Sequence, residues 1–429
     1  MIKKILVGLI GLGVIVLAAF LVIAWKPSID SVDPPSEGEF SQEQIDRGEI
    51  IAGLGNCQTC HTTDQEQPYA GGLAMPTPFG TIYSTNITPD PETGIGQWSE
   101  EAFSRAMREG VSRSGAHLFP AFPYTHFTKM TDGDVADLYA YMMTREPIQA
   151  EAPENTLEFP FNIRLLQAGW KILFFDEGRY QADSSKSDTW NRGAYIAEGL
   201  GHCSACHTPR NQFGAEDESQ AWEGTVINNW YAPALNGSNR SPVAWSEDDA
   251  YAYLRSGGSP HHGVAVGSMA DVVHAGLGLA PDDDIRGLAT WLAGLNPSDG
   301  ADLAAQQAAE AINAASNKRT PSSLMGEGER IFAYACASCH YNDPDSPNAL
   351  RPDMALNSAV FAPDPVNLIR VTLEGVSLEE GIPGAMMPAF GEALTDREVA
   401  SLLAFLRSSQ TDQPAWSDLE EQVRNQRQQ

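Results

Sequence analysis

The stretch Arg192-Gly193-Ala194-Tyr195-Ile196-Ala197-Glu198-Gly199-Leu200-Gly201-His202-Cys203-Ser204-Ala205-Cys206-His207 decides the fold. Its first half reads as an amphipathic helix that delivers a Cys-x-x-Cys-His cluster at its C-terminal end. The pattern occurs twice more. Arg47-Gly48-Glu49-Ile50-Ile51-Ala52-Gly53-Leu54-Gly55 precedes Cys57-Gln58-Thr59-Cys60-His61, and Gly328-Glu329-Arg330-Ile331-Phe332-Ala333-Tyr334-Ala335 precedes Cys336-Ala337-Ser338-Cys339-His340. All six cysteines of the 429-residue chain fall in these clusters, so none is left for a structural disulfide.

The flanks repeat as well. Trp98-Ser99-Glu100-Glu101 and Trp245-Ser246-Glu247-Asp248 each open a helix, with the serine as N-cap and acids in the first turn. Gly110, Gly257 and Gly375 stop the helices that follow. Each unit closes on a further helix. Thr131-x-x-Asp134 and Thr395-x-x-Glu398 read as capping boxes. Val135, Leu138, Tyr139 and Met142 recur at helical spacing, as do Ile285, Leu288, Ala289 and Leu292 after Pro281, and Val399, Leu402, Leu403 and Leu406. The expectation is an all-α chain of three tandem units, each running helix, motif, long loop, helix, loop, helix.

The N-terminus points to a compartment. Lys3 and Lys4 precede an uncharged apolar run from Ile5 to Ala24, followed by Trp25, Lys26 and Pro27. Twenty residues at about 1.5 Å each match a bilayer's hydrocarbon core, and the run exceeds a secretory h-region. Residues 1–26 are expected to form an uncleaved transmembrane anchor or a signal. The Lys pair should stay cytoplasmic, with the rest in the periplasm. With 27 Lys and Arg against 56 Asp and Glu the formal net charge is −29, which argues against nucleic-acid binding. The acidic excess reads as a solubilising surface that could steer a basic redox partner.

Cys-x-x-Cys-His is the attachment sequence of c-type haem. Two thiols add across the porphyrin vinyl groups and the adjacent His offers an imidazole nitrogen to the iron. The expected attachment residues are Cys57, Cys60, Cys203, Cys206, Cys336 and Cys339, with His61, His207 and His340 as iron ligands and three covalently bound haems c in all. A zinc ribbon would need paired knuckles at short spacing, whereas these motifs start 146 and 133 residues apart. A thioether sixth ligand suits electron transfer. Met387, directly before Pro388, is expected for the third haem, with Met386 as the near alternative, and Met269 for the second. In the first unit Phe122 stands where a Pro-Ala-Met-Pro-Tyr version would carry the thioether. Met130 is the remaining candidate there, with His126, His117, Met75 or an open position as alternatives. Met107 and Met142 read as packing residues, and His202, His261, His262 and His274 as polar surface or haem-edge residues. No Walker loop or His-Glu-x-x-His motif is present. A haem peroxidase, a nitrogen-oxide reductase or a redox sensor would need an open iron or an output domain, so a non-catalytic electron carrier is the simplest reading.

Thr77-Pro-Phe-Gly-Thr-Ile-Tyr-Ser-Thr-Asn-Ile-Thr-Pro-Asp90, Phe119-Pro-Ala-Phe-Pro-Tyr124, Gly201-His-Cys-Ser-Ala-Cys-His-Thr-Pro-Arg-Asn211 and Met387-Pro-Ala-Phe-Gly391 together resemble the trihaem cytochrome c subunits of bacterial membrane-bound dehydrogenases. The resemblance covers nearly the whole chain. It implies cytochrome c-like domains at 40–148, 186–297 and 326–410, a connector at 149–185 packing between the first two, a flexible or helical linker at 298–325, and a polar tail at 411–429. Two branches exist. One serves quinoprotein (PQQ) alcohol dehydrogenases and flavin-dependent sugar dehydrogenases. The other accompanies molybdenum hydroxylases of the isoquinoline 1-oxidoreductase, nicotinate dehydrogenase and aldehyde oxidoreductase type. Pro160-Phe-Asn-Ile-Arg164 with Gly169-Trp-Lys171, and Asp412-Gln-Pro-Ala-Trp416-Ser-Asp-Leu419, look more like the second. The resemblance implies a catalytic dehydrogenase as partner, with electrons passing to ubiquinone or a terminal oxidase.

Overall fold

The computed structural model describes residues 2–36, 38–296, 301–318, 324–340 and 347–428. The chain is mostly helical and divides into two units, residues 1–182 with 198–202 and residues 183–197 with 203–429.

In the first unit, α1 (Ile2–Ala24) has 23 residues and an apolar window of mean hydropathy 3.0. It is long enough to cross a bilayer, at about 35 Å. Its last residue, Ala24, is buried, and the chain from there to Val32 runs along the unit. Ile29 donates its amide to Arg113 and Val32 to Gln97. Helix α2 (Gln42–Leu54) starts at a full capping box between Ser41 and Gln44. The hairpin β1 (Ala74–Thr77) and β2 (Gly80–Tyr83) follows, then α3 (Glu100–Glu109) and α4 (Asp132–Met143). Helices α2 and α4 pack together at Gly48, where a Cβ would sit 2.1 Å from the Asp137 carbonyl oxygen. Only glycine permits that approach. Beside it Arg47 grips the Asp137 carboxylate with two nitrogens at 2.6 and 2.9 Å.

The second unit repeats this crossing twice. Helix α6 (Asp188–Tyr195) runs on through a π-turn at Ile196–Leu200, α7 (Glu247–Ser256) follows Ser246, and α8 (Asp282–Leu295) packs on α6. A Cβ at Gly193 would lie 1.9 Å from the Gly287 carbonyl oxygen, and Arg192 grips Asp284 at 2.7 and 2.8 Å. Helix α9 (Ala301–Asn317) comes next, then α10 (Glu327–Ile331) with its own π-turn at Phe332–Cys336, α11 (Val366–Glu374), α12 (Asp396–Gln410) and α13 (Leu419–Arg427). Gly328 meets the Ser401 carbonyl as Gly193 meets Gly287, again at 1.9 Å. The α12 face predicted from periodicity is buried: Val399, Leu402, Leu403 and Leu406 join Leu368, Ile369 and Val423 in one core. The second and third motifs share this unit. Asn367 exchanges two hydrogen bonds with the Tyr231 backbone, and the Gly381 amide donates to Ala265.

The structure adds four features to the sequence expectation; the hairpins depart from the all-α reading, and the linker takes the helical of its two alternatives. Three short antiparallel hairpins, β1–β2, β3–β4 (Thr225–Ile227 with Trp230–Ala232) and β5–β6 (Gly258–Ser259 with Gly263–Val264), interrupt the otherwise α fold by pairing loop backbone that has no helix to join. The 301–317 part of the linker is a packed helix, because Ala304, Ala308, Ile312 and Ala315 recur at i+4, i+4 and i+3 and bury against Val243 and Leu356. Residues 297–300 and 319–323 lie outside the described residues. The polar tail is folded over Leu419–Arg427, where Val423 is buried and Trp416 donates its indole N–H to the Ala362 carbonyl. Within the first unit, the connector pairs with the hairpin. Thr156 and Glu158 donate to Thr81 and Phe79 on the hairpin, Phe161 packs on Phe79, and α5 (Gln167–Phe174) lies against α1.

Candidate haem sites

Each motif begins at the end of the helix that crosses its unit's closing helix. In the second and third, the turn is closed by two backbone bonds. Cys206 and His207 donate to Cys203, and Cys339 and His340 donate to Cys336. This turn places both sulfurs on one side of it. In the first, Asn56 in left-handed conformation sets the start of Cys57–His61.

The three histidines share one arrangement. His61 Nδ1 lies 2.6 Å from the Thr85 carbonyl oxygen, His207 Nδ1 2.7 Å from that of Pro233, and His340 Nδ1 2.9 Å from that of Pro352. A carbonyl oxygen can only accept, so Nδ1 carries the proton and Nε2 keeps its lone pair. Burial pushes all three imidazoles below their ordinary range, and the carbonyl contact only partly opposes it. Each ring is thus held neutral and oriented, with one nitrogen available to a metal. Burial pushes the Cys57 thiol up to about 12 and the Cys336 thiol up to about 11. Among the described residues no group of three or more His, Cys, Asp or Glu side chains converges as ligands of a bare cation would.

These acceptor carbonyls escaped the sequence reading. A signal was present: Pro233-Ala-Leu-Asn236 and Pro352-Asp-Met-Ala-Leu-Asn357 echo one another, and Asn86 follows Thr85. All three asparagines turn the chain by accepting from the amide two residues on, at Thr88, Ser238 and Ala359.

A residue count from three glycines aligns candidate sixth ligands, although the backbone pairing differs: Val376 pairs with Met387, whereas Val111 pairs with His117 and Gly258 with Val264. Gly110, Gly257 and Gly375 all have positive φ, at 61°, 81° and 81°. Twelve positions after them stand Phe122, Met269 and Met387. Met387 exchanges backbone bonds with Val376 at 2.9 and 3.0 Å and is half-buried, whereas Met386 is 65% exposed. Met269 follows Gly267, where a Cβ would strike the Trp230 indole at 2.1 Å. Met130 is fully buried but occupies the position just before the cap Thr131, as Leu394 precedes the cap Thr395. That is the place of a hydrophobic staple, a packing role. His117 is committed elsewhere: Nε2 donates to the Ala24 carbonyl at 2.8 Å and Nδ1 accepts from Lys171 at 3.1 Å. His126 lies with Nδ1 3.0 Å from the Glu198 carbonyl, His202 with Nε2 3.2 Å from that of Gly55, and Met75 sits in β1. Met107 and Met142 are buried core residues. His274 contacts the Gly381 carbonyl at 2.9 Å, and His261 the Asp249 carboxylate at 3.0 Å.

A sequence model of the cytochrome c family matches residues 45–146 and 326–410. A nicotinate dehydrogenase subunit of Pseudomonas putida is 46% identical over 418 residues, 96% of this chain and 34% of that protein. The fructose dehydrogenase cytochrome subunit of Gluconobacter japonicus is 35% identical over 87% of this chain and 81% of its own length, and the gluconate 2-dehydrogenase cytochrome c subunit of Pantoea cypripedii 38% over 87% of each. The chain belongs to the cytochrome c family. Its cofactor is therefore covalently bound haem c and its role is electron transfer. The chain spans about a third of the length of the Pseudomonas relative and most of the length of the other two. Paired cysteines and an adjacent neutral histidine with its second nitrogen available fit such a group.

Proposed function

We propose that the chain is a three-haem, membrane-anchored electron-transfer subunit with three tandem cytochrome c domains facing the periplasm. In this reading it takes electrons from a molybdenum hydroxylase and passes them to ubiquinone or a terminal oxidase. The observation that carries the count is the threefold recurrence of the His Nδ1–carbonyl pair, at Thr85, Pro233 and Pro352. The middle site lies outside the segments matched by the family model, yet its geometry is that of the other two. The choice of partner is supported by the 46% identity to the nicotinate dehydrogenase subunit, against 35 and 38% for the sugar-dehydrogenase subunits.

Haem c supplies a reversible one-electron couple at iron. The chain does the rest. Cys57 and Cys60, Cys203 and Cys206, and Cys336 and Cys339 hold the group through thioethers. His61, His207 and His340 present Nε2, and their Nδ1–H bonds fix the tautomer and strengthen the ring as a donor. Met269 and Met387 offer thioethers, which keep a potential high. At the first site Met130 is the sequence candidate. The register instead assigns that position to Phe122, so the first site lacks an in-register thioether. The alternative reading, a cytochrome subunit of a PQQ alcohol dehydrogenase or flavin-dependent sugar dehydrogenase, is favoured by the 81 and 87% coverage of those relatives' own lengths.

One experiment separates them. The subunit is captured from detergent-solubilised native membranes through a C-terminal tag, and cofactors are counted per chain. Three haems c with molybdenum, pterin and iron–sulfur iron are expected. Flavin or a quinone cofactor without molybdenum would overturn the partner assignment, and two haems would overturn the count.

A further inference from the structure

Resting on the membrane anchoring proposed above, we propose that the connector helix α5 and the chain before it lie in the bilayer's interfacial layer as a second membrane contact, seated on lipid. In a chain with 56 Asp and Glu, residues 159–175 carry none. Phe161, Ile163, Leu165, Leu166, Ile172 and Leu173 are all exposed there, the last two by 61 and 70%. A contiguous apolar surface of this kind on an otherwise acidic protein marks an interaction face.

Of the two cations of the stretch, Lys171 is buried, and Arg164, though exposed, is tied back to the unit by its head group. Arg164 donates to the His117 carbonyl at 3.1 Å and covers the Phe119 ring. Lys171 donates to the Glu109 and Gly110 carbonyls at 2.5 and 2.8 Å and also lies against His117 and the Tyr124 ring. No charge of the helix therefore opposes its entry into an apolar layer.

Continuity with α1 identifies the occupant. A Cβ at Gly169 would lie 3.7 Å from the Phe20 ring, and Phe20 stands four residues before the end of α1. At about 1.5 Å per residue this puts the contact roughly 6 Å inside the spanning helix, the depth at which interfacial helices lie. If α1 spans a bilayer, α5 has no place except beside it at that depth.

The test places single nitroxide labels at Val14→Cys, Ile172→Cys, Leu173→Cys and Glu151→Cys in the full haem-loaded chain. The haem-linked cysteines offer no thiol to the label. In lipid nanodiscs of phosphatidylcholine and phosphatidylglycerol, relaxation by oxygen and by a water-soluble nickel chelate reports depth. The labels at 172 and 173 are expected to favour oxygen severalfold, as at 14, and the label at 151 to favour nickel. Labels at 172 and 173 that behave as 151 while 14 stays in lipid would overturn this inference and leave the anchor standing. A water-exposed label at 14 would overturn the anchor itself. Shielding of 172 that appears only after the catalytic partner is added would make the face a protein interface and overturn the lipid assignment. Unchanged haem content and helix signal show that each variant is folded.

Discussion

His207 Nδ1 lies 2.7 Å from the carbonyl oxygen of Pro233, the residue that directly follows strand β4. The hairpin therefore sets the tautomer of the proposed iron ligand 26 residues upstream. The same relation joins His61 to Thr85, just past β2, and His340 to Pro352. Because the acceptor is backbone, substitution cannot delete it. The site is held by loop path rather than by a particular side chain, and this is why the acceptors differ in sequence.

The register of Met269 and Met387 carries a prediction for the reduction potentials. Met269→His and Met387→His should each lower one midpoint by on the order of 100 mV or more, since an imidazole stabilises the oxidised iron relative to a thioether. Each should also remove its own near-infrared thioether band. A redox titration of the haem-loaded full chain checks this, and a variant whose potentials do not move has lost no ligand.

The first site gives the opposite expectation. Met130→Leu should leave the thioether bands and potentials unchanged, because Met130 fills the staple position before Thr131. Phe122→Met should add a thioether band and raise one potential. Loss of a band in Met130→Leu would restore Met130 as a ligand and defeat the register argument.

Gly193→Ala tests the helix crossing. Its new methyl would meet the Gly287 carbonyl at 1.9 Å, and no side-chain rotation relieves a clash with backbone. The crossing must open, at a cost of about 3 kcal/mol or more. Thermal unfolding should show a lowered transition, and haem staining of proteolytic fragments should show loss confined to the Cys203–Cys206 site.

His262 makes stability pH-dependent. It is 3% exposed and stacked on Trp245 at 3.8 Å, with neither ring nitrogen hydrogen-bonded within the protein. Burial is the main cause that holds it down at about 3; Asp249 pulls up and His261 pushes down. Its ordinary value is 6.5, so between pH 6.5 and about 3 the unfolded chain binds a proton that the folded one refuses. The stabilisation is complete above 6.5 and falls by roughly 1.4 kcal/mol per pH unit below it. In His262→Phe this slope should be shallower in denaturant titrations across that window. Equal slopes in the two proteins would show that His262 is not the group responsible.

The motifs, the capped helices and their buried faces were legible because each depends on local spacing. Ser99, Ser246, Thr131 and Thr395 all cap as their neighbours indicate. The acceptor carbonyls were not legible, since a backbone oxygen leaves no residue type behind. Helix α9 was ambiguous because alanines bury as readily as they sit in a linker. The fold of the polar tail was not legible, because a single buried valine, Val423, with Trp416 holds it to the core, too little apolar residue to register as a period. The Met130 expectation rested on residue type alone. The register through Gly110 appears only when the three glycines are set side by side.

The bond from His117 to the Ala24 carbonyl has a mechanical consequence. Arg105 takes the Pro27 carbonyl at 2.8 Å, and the Ile29 amide is bound by Arg113. A free tether of the same length would let the head wander by tens of ångströms. Here α1 ends inside the unit that follows it, tied to it by these bonds, and would act as a mast if it spans a bilayer. If α1 spans a bilayer as proposed, the first candidate haem site is held at a set height above the lipid rather than on a loose tether.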